Sequence, residues 1–242
     1  MGFKPAGMPK SSTAGLVSAV AALLFAFLAP AAAAFNLAED IPSDDPYFEP
    51  LYACQALGLL DAGASGSFRL EESLDRYQVA HIVVQALLVL GVELPANPAP
   101  VKWPDVPGGH WAYRDIAICV DLGLMAGYDD LSFRGRSSMQ KEHWLAMASN
   151  LARKFAPEPA PEEQQVVPIF RDLPDLNWLW TPIRELARYG WLDPETTEDD
   201  FLNRNDIVTR RLLYWYLGKL ALSRKGPLGT WAAAESGGPE VT

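Results

Sequence analysis

One spaced pattern recurs three times along this chain and narrows sharply what it can fold into. Asp40, Asp105 and Asp172 each stand two residues before a proline (Pro42, Pro107, Pro174) and eighteen before a glycine (Gly58, Gly123, Gly190). A phenylalanine follows each aspartate at offset 28, 28 or 29 (Phe68, Phe133, Phe201), and a basic residue at 36, 36 or 38 (Arg76, Lys141, Arg210). The period is 65 and then 67 residues. Self-similarity at a fixed period marks one supersecondary unit used three times, and such a unit cannot bury its apolar face without its neighbours.

Within each copy the apolar spacing is helical. Leu51, Cys54 and Leu57, then Ile116, Cys119 and Val120, then Ile183, Leu186 and Ala187 form one stripe on a short helix that ends at the glycine, where a left-handed cap is wanted. After the basic residue, positions three, six, seven and ten further on are apolar in every copy: Val79, Ile82, Val83, Ala86; Trp144, Met147, Ala148, Leu151; Leu213, Tyr216, Leu217, Leu220. That is one face of a longer helix. Asp75 and Thr209 are good N-caps for it, whereas Gln140 is a poor one and Ser137 or Ser138 stands in as the expected cap of the second copy. The predicted fold is all-α: three tandem helix-loop-helix repeats, at 38–93, 101–156 and 168–223, packed as a pseudo-threefold bundle around the three longer helices.

The pattern resembles the S-layer homology family in triplicate. The middle copy carries it most fully, as Trp103-Pro104-Asp105-Val106-Pro107, His110-Trp111-Ala112, Leu122-Gly123-Leu124-Met125, Gly127-Tyr128-Asp129 and Phe133. The third has Phe170-Arg171-Asp172-Leu173-Pro174, Trp178, Gly190-Trp191-Leu192, Phe201 and Thr209-Arg210, and the first runs from Asp40-Ile41-Pro42 to Asp75-Arg76. The resemblance implies a non-catalytic module, without cofactor, that holds proteins to the bacterial cell envelope by binding secondary cell-wall polysaccharide or peptidoglycan-linked glycan. In that family a Thr-Arg-Ala-Glu motif opens the longer helix, and its arginine faces the groove that takes an anionic, often pyruvylated, sugar. By position the motif here reads Asp75-Arg76-Tyr77-Gln78, Gln140-Lys141-Glu142-His143 and Thr209-Arg210-Arg211-Leu212. The base survives three times, the threonine once and the glutamate nowhere. Eroded motifs leave a second expectation open, an envelope scaffold of the same fold that has exchanged its sugar for a protein partner.

A carboxylate-bearing sugar needs a fixed cation, and an arginine fork supplies paired charge-assisted hydrogen bonds while helix-start amides add positive potential. Arg76, Lys141 and Arg210 are therefore the candidate central cations, with Arg69, Arg134 and Arg204 as second cations and Asp75, Gln140 and Thr209 beside them. The competing expectation is that the three central bases pair with acids of the neighbouring repeat. Tyr77, Trp144 and Tyr214 are expected in the core rather than on sugar-stacking walls.

Other chemistries find little support. With 20 basic against 30 acidic residues the net charge is −10, a poor surface for nucleic acid. His81, His110 and His143 fall at unrelated offsets, giving no expected metal site. The run Asp193, Glu195, Glu198, Asp199, Asp200 lacks the order of a calcium loop and reads as a solvated turn. No nucleophile elbow or phosphate loop is present. Residues 1–34 open with Lys4 and Lys10, continue as an apolar run from Ala14 to Ala29 and end on Ala32-x-Ala34, the expectation being a cleaved secretory signal with no membrane span after it. Cys54 and Cys119 share one offset on the buried stripe and read as small hydrophobes. Pro-rich stretches 94–100 and 156–163 are expected connectors, and 224–242 a flexible tail.

Overall fold

The computed structural model describes residues 37–63, 66–198 and 201–226. The expected signal segment and all of the tail beyond Gly226 lie outside them. The elements are α1 (Leu37–Asp40), α2 (Phe48–Ala56), α3 (Arg76–Val89), α4 (Tyr113–Asp121), α5 (Lys141–Phe155), a 3-10 turn (Pro161–Glu163), α6 (Trp180–Arg188), α7 (Pro194–Glu198) and α8 (Arg210–Lys225). The protein is all-α: among the described residues no strand forms, only three isolated antiparallel bridges.

Local sequence sets the helix ends. Gly58, Gly123 and Gly190 take φ of 68°, 65° and 67°, the left-handed turn that stops α2, α4 and α6 and that a β-carbon would strain. On α3, Asp75 accepts from the amide of Gln78 at 2.8 Å while Gln78 Oε1 accepts from the amide of Asp75 at 2.9 Å, a complete capping box. Gln78 thus does at its position what a glutamate would do. Thr209 caps α8 through the amide of Leu212, whereas α5 starts after Gln140 with no side-chain cap, so neither Ser137 nor Ser138 takes that part.

The two helices of one repeat do not form the main packing pair. Instead α4 packs on α3, α6 on α5 and α2 on α8, so each short helix lies on the long helix of the preceding repeat and the first repeat closes against the third. The three helix-loop-helix repeats are therefore interleaved. At the α2–α8 contact a β-carbon on Gly218 would stand 2.0 Å from the carbonyl oxygen of Pro50, which shows how closely the two backbones approach. The predicted faces of the long helices are buried, Ile82 being half-buried. Tyr77, Trp144 and Tyr214 are in the core, as expected.

Three loops knit the repeats together just before the long helices. Leu74 N–H donates to Val208 C=O, Val208 N–H to Met139 C=O and Met139 N–H to Leu74 C=O, at 3.1, 2.8 and 2.9 Å. This ring is buried and passes once through each repeat. The bridges Ser73–Thr209, Asp75–Ser138 and Gln140–Ile207 flank it. At the other end of α8, Arg224 donates to Phe155 C=O at 2.7 Å and to Leu90 C=O at 3.4 Å, satisfying carbonyls left open at the ends of α5 and α3.

The recurring spacing of aspartate and phenylalanine has a direct cause. Asp105 accepts from the amides of Phe133 and Arg134 at 3.0 and 2.7 Å, and Asp40 from Phe68 at 2.9 Å. Asp172 accepts from Leu202 and Asn203 at 2.8 and 2.9 Å. The third anchor is thus Leu202, fully buried, and not Phe201, which is 43% exposed. The residue after each anchor, Arg69, Arg134 or Asn203, has φ of 48°, 54° or 53°, the tight turn that those carboxylate bonds hold in place.

Candidate functional site

Each long helix sends its first basic residue toward the loop of the next repeat, and the three environments differ. Arg76 is 5% exposed. Its Nε donates to Phe133 C=O at 2.9 Å and a terminal nitrogen to Ala126 C=O at 2.7 Å. The guanidinium lies 4.5 Å from the Phe133 ring centroid and 5.0 Å from that of Tyr128. Burial lowers its pKa below the ordinary arginine value, against the opposing pull of Tyr128 and Asp105. Among the described residues it forms no ion pair. A cavity of about 430 Å³ opens beside it, lined by Tyr128, His143, Asn150 and the stretch from Gly123 to Gly127. Gly127 is required there, because a β-carbon would enter the Trp103 indole.

Arg134 reaches the same corner from the neighbouring loop. Its guanidinium lies 4.3 Å from the Tyr128 centroid, so that two cations contact one ring. Arg134 also pairs with Asp130 at 2.7 Å, and the bonds from Ser132 and Arg134 hold the Asp130 carboxyl down at about 2. His143, on the cavity wall, has its pKa lowered by burial and by Arg76, with Glu142 opposing. A bound anion would face Arg76 and a neutral imidazole at neutral pH.

Arg210 has a similar but simpler setting. Its Nε donates to Phe68 C=O at 3.1 Å and its guanidinium lies 5.2 Å from the Tyr214 centroid. No carboxylate among the described residues pairs with it. Lys141 departs from both: its ammonium is 3.8 Å from Asp193, with side chains 6% and 0% exposed. Here the internal ion pair is what forms, and Asp193, expected in a solvated turn, is fully buried.

The remaining sequence candidates are engaged elsewhere. Arg69 pairs with Glu72 at 3.3 Å and Arg204 with Glu142 at 3.2 Å. Asp75 and Thr209 spend their side chains on capping, and Gln140 sits in a bridge with Ile207. The helix-start amides are also taken, since Arg76 and Tyr77 donate to Ser137 and Gly135, Lys141 and Glu142 to Asp206 and Arg204, and Arg210 and Arg211 to Glu72 and Leu70. Positive charge in the grooves therefore comes from side chains. Tyr128, His143 and Asn150 are cavity residues that sequence reasoning did not assign; the Gly127-Tyr128 pair of the middle copy was the available signal.

A sequence model of the S-layer homology domain matches residues 104–140, the stretch that contains the Arg76-binding loop. The chain carries an S-layer homology domain. It is similar to an S-layer protein of Bacillus licheniformis, 34% identical over 91 residues, 38% of this chain and 10% of that protein. A cell surface protein of Thermoanaerobacter kivui is 26% identical over 125 residues, 52% of this chain and 16% of that one. The S-layer protein EA1 of Bacillus anthracis is 33% identical over 87 residues, 36% of this chain and 9% of that one. The chain thus spans only a small part of the relatives it matches. Among the described residues no helix is long and apolar enough to cross a membrane, and no group of three or more potential ligands is placed to hold a metal.

Proposed function

We propose that this S-layer homology protein is a non-catalytic module at the bacterial cell surface that anchors to the wall by binding an anionic wall glycan. The observation that carries the reading is Arg76, a guanidinium fixed by two carbonyls of the neighbouring repeat, unpaired with any carboxylate among the described residues, and placed beside an open cavity. A pre-positioned cation in a partly dry groove binds a sugar carboxylate better than a mobile surface one, because neither reorganisation nor full desolvation is left to be made. The names of the similar proteins support a surface role. The net negative charge of the chain repels polyanions at long range, but screening beyond ~8 Å leaves the groove in control at physiological salt. Secretion through the signal at 1–34, and a carboxylate ketal such as pyruvate on the sugar, belong to this reading. So does the pseudo-threefold bundle, which the ring of three backbone hydrogen bonds favours.

The test is retention on purified wall polysaccharide. Wild-type protein is expected to be retained and Arg76→Ala to be lost; equal retention of the two would remove the assigned site. A second reading, recruitment of another envelope protein, is favoured by Trp111 and Trp178, the same residue at the same position of two repeats, 60% and 52% exposed. One stoichiometric protein partner from envelope extract, with no glycan retained, would select it.

A further inference from the structure

Repeat three is longer than the others between its glycine and its basic residue: Gly190 and Arg210 are 20 apart, against 18 for Gly58 and Arg76 and for Gly123 and Lys141. The short helix α7 lies in that stretch, and immediately before it stands Asp193. Asp193 is the third residue after its glycine, as Ala126 is in repeat two and Asp61 in repeat one. At Ala126 only the backbone carbonyl meets the incoming base, Arg76. Asp61 is exposed and bonds the amide of Gly63 at 3.0 Å. Asp193 alone turns its carboxylate inward, onto Lys141.

The carboxylate is held from all three repeats. Its two oxygens accept from the amide and hydroxyl of Thr196 at 3.0 and 2.5 Å, and lie 3.5 and 3.4 Å from the hydroxyls of Tyr47 and Tyr216. Its charge adds to burial in raising the pKa of both tyrosines, which stay protonated as donors. A second barrier lies outside. The cavity of about 240 Å³ next to Lys141 is lined by Glu71, Glu195 and Asp206, and its other cation, Arg211, pairs with Asp45 and Glu71 at 3.7 and 3.2 Å. An entering anion meets three carboxylates and no free cation among the described residues.

We infer that the groove headed by Lys141 is self-ligated: Asp193 fills it as an internal carboxylate, so that glycan is taken by the grooves of Arg76 and Arg210 and not by this one. The inference rests on the anchoring reading for its second half only. It also fits that reading's choice of ligand, since the group the chain itself places against a groove base is a carboxylate.

Two measurements test it on the full chain. In thermal melts, Lys141→Met and Asp193→Asn each strand a buried partner and are expected to lower Tm by roughly 6–20 °C, while the double variant loses clearly less than the sum of the two. Additive losses would overturn the pair. In titrations with a pyruvylated wall-glycan fragment, Lys141→Met should leave affinity within about twofold and the number of sites unchanged, whereas Arg76→Ala loses at least about tenfold. A comparable loss in Lys141→Met would overturn the inference and leave anchoring intact. Failure of wild type to bind would instead dismiss the anchoring reading, and the melts alone would then decide whether Asp193 occupies the groove.

Discussion

Gly218→Ala tests the interleaved packing through the sign of its effect. Gly218 is inside α8, where replacement by alanine should stabilise by about 1 kcal/mol if only helix propensity mattered. The structure demands the opposite. The new β-carbon would stand 2.0, 2.4 and 2.7 Å from the carbonyl oxygen, carbonyl carbon and α-carbon of Pro50, all backbone atoms of α2 that no rotamer change can move. Restoring ordinary contact parts the two helices by on the order of 1 Å, an overpacking strain near the upper end of the ~1–3 kcal/mol range. Net of propensity the loss is about 2 kcal/mol, or roughly 4–8 °C in Tm for a domain of this size. Calorimetry gives the global number, and Cys54 gives a local one. Its thiol is buried in the same interface and donates to Tyr214 C=O at 3.2 Å, so its reaction with a thiol reagent should accelerate in the variant while that of Cys119, on the α3–α4 contact, does not. A Tm equal to or above wild type would refute the packing of the first repeat's short helix on the third repeat's long helix.

In the wild type both thiols are buried with their pKa pushed far up by desolvation, so native protein should show no reactive thiol at pH 8 and two after denaturation. Asp105→Ala removes the acceptor of the Phe133 and Arg134 amides and should cost about 2–4 kcal/mol, read by urea melts, with the Arg76 groove loosened as well. His143 titrates below its ordinary 6.5 because it is buried, so the unfolded chain takes up a proton first and stability should decline as pH falls below about 6.5, a dependence that His143→Gln flattens. Anion binding should run the other way: a carboxylate beside His143 raises its pKa, binding then takes up a proton, and affinity should increase as the pH falls from neutrality into the range where His143 titrates.

Much of the fold was legible because the signals were local and repeated. Helical spacing with a glycine stop identified α2, α4 and α6, and a base followed by a period-matched apolar face identified α3, α5 and α8. Periodicity says that a face is buried, not what covers it, and for that reason the exchange of short helices between repeats was invisible. Register failed by one residue in the third anchor, where a phenylalanine beside a leucine drew the eye although only Leu202 completes the Asp172 turn. At the site, the basic positions were readable from spacing and their fates were not. Arg76 and Lys141 occupy the same place in their repeats, and what separates them is whether Ala126 or Asp193 stands opposite, a residue fifty or more positions away. The acidic run that hides Asp193 looked solvated because sequence cannot show one member turning inward. Its two-residue lengthening and the threonine three residues on, ready to donate to that carboxylate, were the available hints.

Titration of the protein with a pyruvylated wall saccharide and with the same saccharide lacking the ketal tests the binding of an acidic glycan at Arg76 most directly. Saturable, salt-sensitive binding of the charged sugar alone, weakened at least about tenfold in Arg76→Ala, is expected. Equal binding of the two saccharides, or undiminished binding by Arg76→Ala, would contradict it.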